Sequence, residues 1–363
     1  MESIDFNSIG KRSFLLSSEL ALVSVPVPDG EPVIVSLSAE AQAEPLYSQR
    51  LWPWKGKLTL FRLDEIAEEF MRSHSQPLMI FTLSVSPSGA SAFKPSAVRF
   101  PAIHFPRLLI GDPERSLTTR FLHSEASRIP QGVTPAVTLL RSPGDNSGVM
   151  TWNASFIAPD GPRDYTLTAV MSPASAPYVR TFRAPLDQLA EGAGAGTADL
   201  ASLHVHCGDR VASFFVDPSL SDRSFVEFRN TFNVPERLYT LGAVTFSQGL
   251  EISTAAVGTE LRAYDRRITD SYKAVTLPLS EPELDTVRQL GESWDVSVPF
   301  FPDPLAAPVL MPAVVTETEL SFSDSTQEKQ TASITWQLAD VRPAMAGCFS
   351  PDIFKSQFNR SFL

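Results

Sequence analysis

The chain has 363 residues, of which 43% are hydrophobic and 20% charged, and its formal net charge is −11. Its 30 prolines argue against a mainly helical protein, because a proline inside a helix removes a hydrogen bond and clashes with the preceding turn. Its 2 cysteines exclude a disulfide scaffold and a four-cysteine zinc site. The acidic balance makes nucleic acid a poor partner. The composition therefore indicates a β-rich chain long enough for about two domains.

The first residues lack the features of a secretory signal peptide. Such a signal has a basic start followed by about 7–15 unbroken apolar residues, whereas here Glu2 and Asp5 come first and Glu19 interrupts the apolar run. No stretch reaches the ~20 apolar residues of a membrane span. We therefore expect synthesis in the cytoplasm without a signal peptide or membrane insertion, with assembly into a virion or extracellular particle as a further option.

Two segments have the sequence pattern of helices. Asp64 is placed to cap the first, Leu63–Arg72, whose apolar residues recur on one face. In the second, Ser280–Leu290, Ser280 and Glu283 have the spacing of a capping box. Gly291 is expected to end that helix.

Most of the remaining chain consists of short apolar or alternating runs separated by proline, glycine and aspartate, which is typical of strands. The predicted strands include Glu31–Leu37, Leu78–Ser84, Ala136–Leu140, Gly148–Ile157, Leu238–Phe246, Ala255–Arg262 and Thr331–Leu338. We predict an all-β fold of mainly antiparallel, β-sandwich-like domains with one short helix in each half.

A glycine- and alanine-rich segment lies near the middle of the chain. Gly192, Gly194 and Gly196 alternate with alanines, a composition typical of a flexible connector. The alternative is a long loop inside one domain. On the first interpretation, an N-terminal β-rich domain spans residues 1–187, a linker spans 188–199, and a C-terminal β-sandwich-like domain spans 200–363.

The sequence nominates no catalytic residue and no cofactor. It has no His-Glu-x-x-His, no phosphate-binding Walker loop and no Gly-x-Ser-x-Gly. A polysaccharide hydrolase whose acidic residues are dispersed along the chain remains an alternative. His204 and His206 would share one strand face, with Cys207 on the other. They form a weak candidate metal site, and we predict no bound metal because two ligands do not make a zinc site.

Aromatic residues cluster at Tyr47, Trp52 and Trp54. If exposed, they would form a surface for stacking a sugar or anchoring a partner protein. If buried, they belong to the core. Because tryptophan is usually mostly buried, the sequence favours burial of at least one of the two tryptophans. The same reasoning predicts that three others are core residues: Trp152, Trp294 and Trp336.

Two parts of the chain carry a resemblance to a known family. One is the stretch from Lys57 to Arg72, and the other runs from Phe225–Glu236 through Tyr264–Arg267 and the Ser280 helix to Thr335–Pro343. Over most of its length the chain resembles prophage-associated proteins of gut anaerobic bacteria, which are encoded near phage tail or baseplate genes. The resemblance implies a β-rich structural or binding component of a tail-like particle. It brings no catalytic residues with it.

The residues of the second stretch also predict a rigid corner. Asn233 is suited to close an Asx-turn, and Pro235 to stop sheet pairing, after the apolar run that begins at Phe225. Near the end of the chain four phenylalanines lie among polar residues, either as a subunit-docking tail or packed on their own domain: Phe349, Phe354, Phe358 and Phe362.

Three functions follow as hypotheses. The first is a structural component of a phage-tail-like particle whose partners are other particle subunits, including copies of itself. The second is a carbohydrate-binding or adhesin protein that contacts surface glycans through the aromatic cluster. The third is the hydrolase described above.

Overall fold

A computed structural model describes residues 4–40, 42–89, 94–107, 112–143, 145, 148–257, 260–301, 307–320 and 330–339. The phenylalanine-bearing tail predicted at Phe349, Phe354, Phe358 and Phe362 lies outside these residues. Strands dominate the described chain, and antiparallel pairing prevails among them, which confirms the all-β prediction. No helix in the described part of the chain is long and apolar enough to cross a membrane.

The first part of the chain forms a small sandwich, which we call the N-terminal sandwich. Its elements are β1 (Ile4–Asp5), α1 (Phe6–Ile9), β2 (Leu15–Leu16), β3 (Leu22–Pro26), β4 (Val33–Ala39), β5 (Tyr47–Leu51), β6 (Lys57–Phe61), α2 (Leu63–Ser73), β7 (Leu78–Pro87) and β8 (Ser96–Ile103). A three-stranded sheet of order β1-β3-β6 packs with a five-stranded sheet of order β2-β8-β7-β4-β5. Alternate residues of both sheets and the apolar face of α2 share one core.

The second part forms a further layered unit, which we call the second sandwich. Its elements are α3 (Pro113–Thr118), β9 (Ala126–Ile129), β10 (Ala136–Arg141), β11 (Val149–Ala158), β12 (Gly161–Val170), β13 (Tyr178–Arg183), α4 (Leu186–Ala193), β14 (Leu200–Cys207) and β15 (Arg210–Val216). A five-stranded sheet of order β12-β11-β14-β15-β9 shares its core with the two-stranded sheet β10-β13 and with α4.

The third part is built on one seven-stranded sheet. Its elements are β16 (Phe225–Arg229), β17 (Pro235–Tyr239), β18 (Thr245–Val257), β19 (Glu260–Val275), α5 (Glu281–Glu292), β20 (Val296–Phe300), β21 (Val309–Leu320) and β22 (Ala332–Leu338). The strand order is β17-β16-β20-β21-β22-β19-β18, and α5 packs on one face of the sheet through Val287 and Leu290.

The segment predicted as a linker, residues 188–199, requires correction. It contains most of α4 and a 3-10 turn at Thr197–Asp199, and β14 after it pairs directly with β11 before it. The glycines have specific roles here. A side chain at Gly192 would overlap the ring of Tyr165, and Gly194 adopts the left-handed conformation (φ +63°) that ends α4. The segment is therefore a connection within one sheet, and a domain boundary at this point would divide that sheet.

The two predicted helices are confirmed as α2 and α5, with differences at their ends. Arg62, and not Asp64, is the N-cap of α2, and α5 continues through Gly291 to Glu292. The predicted number of helices, one in each half, was too low, because the described chain has three further short helices: α1, α3 and α4.

The predicted corner after Phe225–Arg229 is present, but its residues act differently. Asn230 closes the Asx-turn, since its Oδ1 accepts hydrogen bonds from the backbone N–H of Phe232 (3.0 Å) and Val234 (3.2 Å). Asn233 adopts the left-handed conformation, with φ +58°. Pro235 does not stop the sheet, because it begins β17 opposite Arg229.

The three units meet at a common apolar cluster, which we call the junction. The N-terminal sandwich contributes Phe105, the second sandwich contributes Leu122 and Leu140, and the corner between β16 and β17 contributes Phe232 and Val234. All of these side chains are buried. The corner is therefore a structural contact between units.

Candidate functional site

Trp52 and Trp54 both lie on the surface, with 66% and 73% of their area exposed, so the prediction that at least one is buried was wrong. The reason is their place in the N-terminal sandwich. They belong to the connection between β5 and β6, and each of these strands is the edge of its sheet. Side chains beyond two edges have no opposing sheet to cover them.

A tight turn holds Trp54 in place. Trp54 and Lys57 exchange backbone hydrogen bonds of 2.8 and 3.3 Å, and the two residues between them have positive φ, +51° for Lys55 and +73° for Gly56. Positive φ at both central positions is the signature of a type I′ turn. Asp29 Oδ2 accepts a hydrogen bond from the Gly56 N–H (2.8 Å), which ties the turn to the sandwich. Trp54 is therefore displayed on a preorganised loop.

Tyr47 is set back from the two tryptophans. It begins β5 and is half-buried, and its hydroxyl donates a hydrogen bond to Gln49 Oε1 at 2.5 Å. Burial raises the pKa of Tyr47. The Lys55 ammonium lies 5.9 Å from the ring centroid of Trp54. The exposed part of the predicted cluster consists of the two tryptophans.

The remaining tryptophans divide between core and surface. Trp152 and Trp336 are buried, as predicted. Trp294 is 83% exposed, so its assignment to the core was wrong. It follows the end of α5, where the chain leaves the helix, and the guanidinium of Arg72 lies 5.3 Å from the ring.

His204 and His206 share the outward face of β14, and Cys207 is buried on the opposite face, as the alternation predicted. His204 Nδ1 is 2.9 Å from Ser213 Oγ, and His206 is exposed. Within the described residues, no group of three or more His, Cys, Asp or Glu side chains is placed to hold a metal ion.

Two buried arginines that the sequence did not single out share one carboxylate. Asp145 Oδ2 lies 3.1 Å from Arg141 Nε and 2.8 Å from Arg210 Nη2, and all three side chains are almost completely buried. Arg210 also donates to the Leu140 carbonyl at 2.8 Å. These contacts connect β10 to β15 across the second sandwich, so the cluster is a structural link between its two sheets.

A small cavity lies where the second sandwich meets the seven-stranded sheet. Its volume is about 20 Å³, which is room for roughly one water molecule. Arg128, Tyr239 and Glu283 are among its lining residues, and Glu283, the one acidic member of the lining, forms an ion pair of 2.9 Å with Arg128. A cavity of this size and composition is suited to a bound water.

The longest exposed feature is the hairpin of β18 and β19. Of β19, residues Tyr272–Val275 pair with β22, whereas the strand pairs with β18 from Glu260 to Lys273. We call β18 together with residues 260–271 of β19 the ribbon. A two-stranded ribbon is marginally stable in water unless another surface packs against it.

The ribbon has one mainly apolar and one polar face, and the mainly apolar face includes the pair Gln248 and Asp270, in which Gln248 Nε2 donates a hydrogen bond of 2.9 Å to Asp270 Oδ1. The register places Phe246 opposite Tyr272 and Leu250 opposite Ile268, so these side chains share the face that carries the core of the seven-stranded sheet. The apolar face is exposed by 53% at Phe246, 57% at Leu250 and 59% at Ile268. The opposite face carries polar residues: Ser247, Glu251, Ser253, Thr269, Ser271 and Lys273.

An aromatic ladder connects the apolar face to the core. The ring centroids of Phe246 and Tyr272 are 5.3 Å apart, and those of Tyr272 and Trp336 are 6.1 Å apart. Trp336 is buried against α5, whereas Phe246 is at the sheet edge. The apolar face of the seven-stranded sheet thus continues onto the ribbon, where the described chain has no residues that cover it.

The two edges of the seven-stranded sheet differ. β17 is five residues long, begins with Pro235 and contains Glu236 and Arg237, features that discourage pairing with a further strand. β18 is thirteen residues long and contains no proline or lysine. From Thr245 to Leu250 the β18 edge therefore carries neither a charge nor a bulge, the features by which proteins protect free strand edges; Glu251 and the bulge at Ser253 come after this stretch.

Comparison with solved structures gives weak similarities, of which two are as follows. No protein family and no curated protein matches the chain. One solved structure, "Virion of native gene transfer agent (GTA) particle", matches at a TM-score of 0.23 and 14% identity, over 33% of this chain and 93% of that chain. Another, "Tail of empty GTA particle computed with helical refinement, C6 symmetry", matches at 0.23 and 16%, over 33% and 92%. Similarity at this level supports no inference about fold or function.

Proposed function

We propose that this chain is a structural component of a phage-tail-like particle and that it acts through protein–protein contacts. The observation that carries the proposal is the ribbon, whose apolar face and strand edge are both unpartnered within the described chain. Strand edges and exposed apolar faces are both surfaces with which β proteins bind other chains.

The ribbon fits a subunit contact better than a ligand site. Its apolar side chains lie on a projecting convex element, whereas small-molecule sites are concave. The tail-like setting is what the sequence resemblance implies. The two solved structures described above come from such a particle, but they are too dissimilar to add weight.

Assembly can be tested with the full chain. We expect light scattering and electron microscopy to show a particle of several subunits when the chain is mixed with purified phage-tail proteins from the same genome. Leu250→Lys places a charge on the apolar face and should prevent this assembly. A chain that stays monomeric, both alone and in the mixture, would contradict the proposal.

The exposed tryptophans support carbohydrate binding as a second candidate function. Trp52 and Trp54 are exposed on an anchored loop, and flat aromatic side chains of this kind stack on sugar rings. A glycan array with the wild-type chain and Trp54→Ala tests the idea. Trp294→Ala is the matched control, because Trp294 is even more exposed than Trp54 but lies elsewhere, after the end of α5. Loss of binding in Trp54→Ala alone supports the candidate, and no binding by the wild type removes it.

A further inference from the structure

The edge of β18 is self-complementary around Gly249. When two copies of the segment Phe246–Ile252 run antiparallel with Gly249 opposite Gly249, Phe246 lies opposite Ile252, Ser247 opposite Glu251, and Gln248 opposite Leu250. We propose that β18 pairs antiparallel with β18 of a second copy of this chain, about a two-fold axis at Gly249. The proposal rests on the proposed function of the ribbon as a protein contact, and it names the partner.

The backbone supplies the first reason. β19 occupies one side of β18, and within the described chain the other side has no partner strand. Alternate residues of β18 direct both their N–H and their C=O to this free edge, where an added strand can bind them, and an isologous pair satisfies both edges at once. The protected β17 edge makes a head-to-tail pairing of β17 with β18 less favourable.

The side chains supply the second reason. A two-fold axis through Gly249 keeps residues of the apolar face opposite residues of the same face. Ile252, 46% exposed, then lies beside Phe246 of the second copy, 53% exposed, and this contact occurs twice. Leu250 lies diagonally across the axis from the partner's Leu250, within reach of a leucine side chain. Exposed apolar residues of the two β18 strands would therefore contact one another across the new strand pair.

Charge supplies the third reason. The whole chain carries a formal charge of −11, so two copies repel each other unless they meet at a neutral surface. Thr245 to Leu250 contains no charged residue, and Asp270, opposite Gln248 on the same face, lies on β19, one strand further from the pairing edge. Glu251 faces Ser247 of the second copy, whereas an axis through Glu251 would place the two carboxylates opposite each other.

Light scattering at increasing concentration tests the pairing. We expect the wild type to reach twice the chain mass of 39.7 kDa. Leu250→Lys should raise the dimer dissociation constant at least tenfold, because it brings two ammonium groups together near the axis. Val314→Lys is the matched control, since Val314 is 54% exposed in the same sheet and lies outside the ribbon. It should dimerise like the wild type.

A single cysteine tests the register. In a Cys348→Ser background, Gly249→Cys places the same thiol opposite itself across the axis, and mild oxidation should give a covalent dimer. Its Cβ would lie 3.6 Å from the Thr269 carbonyl oxygen, an ordinary contact. Ser247→Cys is the control, because its counterpart is four residues away along the partner strand, and it should stay uncrosslinked.

The outcomes separate this inference from the proposed function. A wild type that is monomeric alone but joins tail proteins in a Leu250-dependent manner overturns the self-pairing and leaves the proposed function standing. A closed ring of more than two copies also overturns the two-fold pairing. If a chain ending at Ala339 loses dimerisation while Leu250→Lys retains it, the segment after Ala339 makes the contact and the proposal fails.

Discussion

Asn233 fixes the corner between β16 and β17 to the N-terminal sandwich. Its amide donates hydrogen bonds to the backbone carbonyls of Met71 (2.9 Å) and Gln76 (3.0 Å), at the end of α2. Its backbone is left-handed, a conformation that asparagine tolerates better than most residues. Asparagine is therefore required twice, once for the conformation and once for the hydrogen bonds.

We expect Asn233→Ala to lower the free energy of unfolding by about 2–3 kcal/mol, because it removes two hydrogen bonds and strains a left-handed residue. Asn233→Gly should cost less, since glycine accepts the conformation. Urea unfolding of the two variants measures both effects. Asn153→Ala, which removes a single contact with Thr166 on an exposed strand face, is the control. Equal stability of Asn233→Ala and wild type would show that the corner needs neither feature.

His104 makes the stability dependent on pH. Burial lowers its pKa from 6.5 to about 4. Its Nδ1 is 2.9 Å from the Thr231 carbonyl, which only accepts hydrogen bonds, so Nδ1 carries the proton of the neutral ring. A second proton on Nε2 would be buried without a partner. The folded state therefore binds this proton more weakly than the unfolded state.

The sign follows from linkage. The contribution of neutral His104 is complete above pH 6.5 and is lost as the pH falls towards about 4. Between pH 7 and pH 4.5 we expect the wild type to lose about 2 kcal/mol more unfolding free energy than His104→Gln. The measurement is the difference between the wild type and His104→Gln, because other groups also make the stability depend on pH. Burial lowers the pKa of His123 and raises the pKa of Glu236, and both effects are the same in the two proteins. Parallel pH profiles would refute the assignment, and the exposed His206→Gln provides the control.

The sequence pattern predicted the burial of tryptophans correctly on central strands and wrongly in the connections between elements. Trp152 and Trp336 alternate with polar residues on strands that have partners on both sides, so alternation was sufficient. Trp52, Trp54 and Trp294 lie in connections. Their exposure depends on which strands are edges and on where a helix ends, which is a property of the tertiary fold.

At the scale of elements, the start of α5 was predictable in sequence but its wider role was not. The spacing of Ser280 and Glu283 predicted a cap, and Glu283 Oε2 accepts hydrogen bonds from the Ser280 N–H and hydroxyl, both at 2.8 Å. The same carboxylate binds Arg128 of β9 through two hydrogen bonds of 2.9 Å. Burial acts to raise the pKa of Glu283, but the bonds from Arg128 and Ser280 outweigh it and lower the pKa.

We expect Glu283→Ala to reduce the free energy of unfolding by about 2–4 kcal/mol, because it removes the cap and leaves a partly buried arginine unpaired. Glu283→Gln keeps part of the cap and should lose less. Denaturant unfolding measures the series, with Glu292→Ala as a control, because its ion pair with Arg107 is largely exposed. A loss in Glu283→Ala no larger than in the control would contradict this role.

Two elements were misjudged from sequence for physical reasons. The glycines of residues 188–199 resembled a linker, but Gly192 makes room for the Tyr165 ring and Gly194 ends a helix. The ribbon was predicted as separate strands at Leu238–Phe246 and Ala255–Arg262. The first is divided by the connection from the end of β17 at Tyr239 to the start of β18 at Thr245, and the second includes the end of β18 and the start of β19. Sequence periodicity identifies strands but gives weak information on where a long hairpin folds back.

At the scale of the whole molecule, the junction couples the three units. The rings of Phe105 and Phe232 stack at 5.3 Å, and the guanidinium of Arg120 lies 5.2 Å from the Phe232 ring. Leu122 and Leu140 complete the cluster from the second sandwich. The described units share apolar side chains as well as hydrogen bonds, which favours their unfolding together.

Phe232 is the one aromatic side chain that the corner contributes to this cluster, so its truncation should weaken the coupling as well as the stability. We expect Phe232→Ala to cost about 3 kcal/mol and to turn a single calorimetric transition into two, because the cavity lies between units and not within one core. Phe61→Ala is the control, since Phe61 is 66% exposed on an edge strand and its removal leaves no cavity. A single transition for Phe232→Ala, at the wild-type melting temperature, would mean that the units are coupled by the Asn233 and Glu283 contacts and not by the apolar cluster.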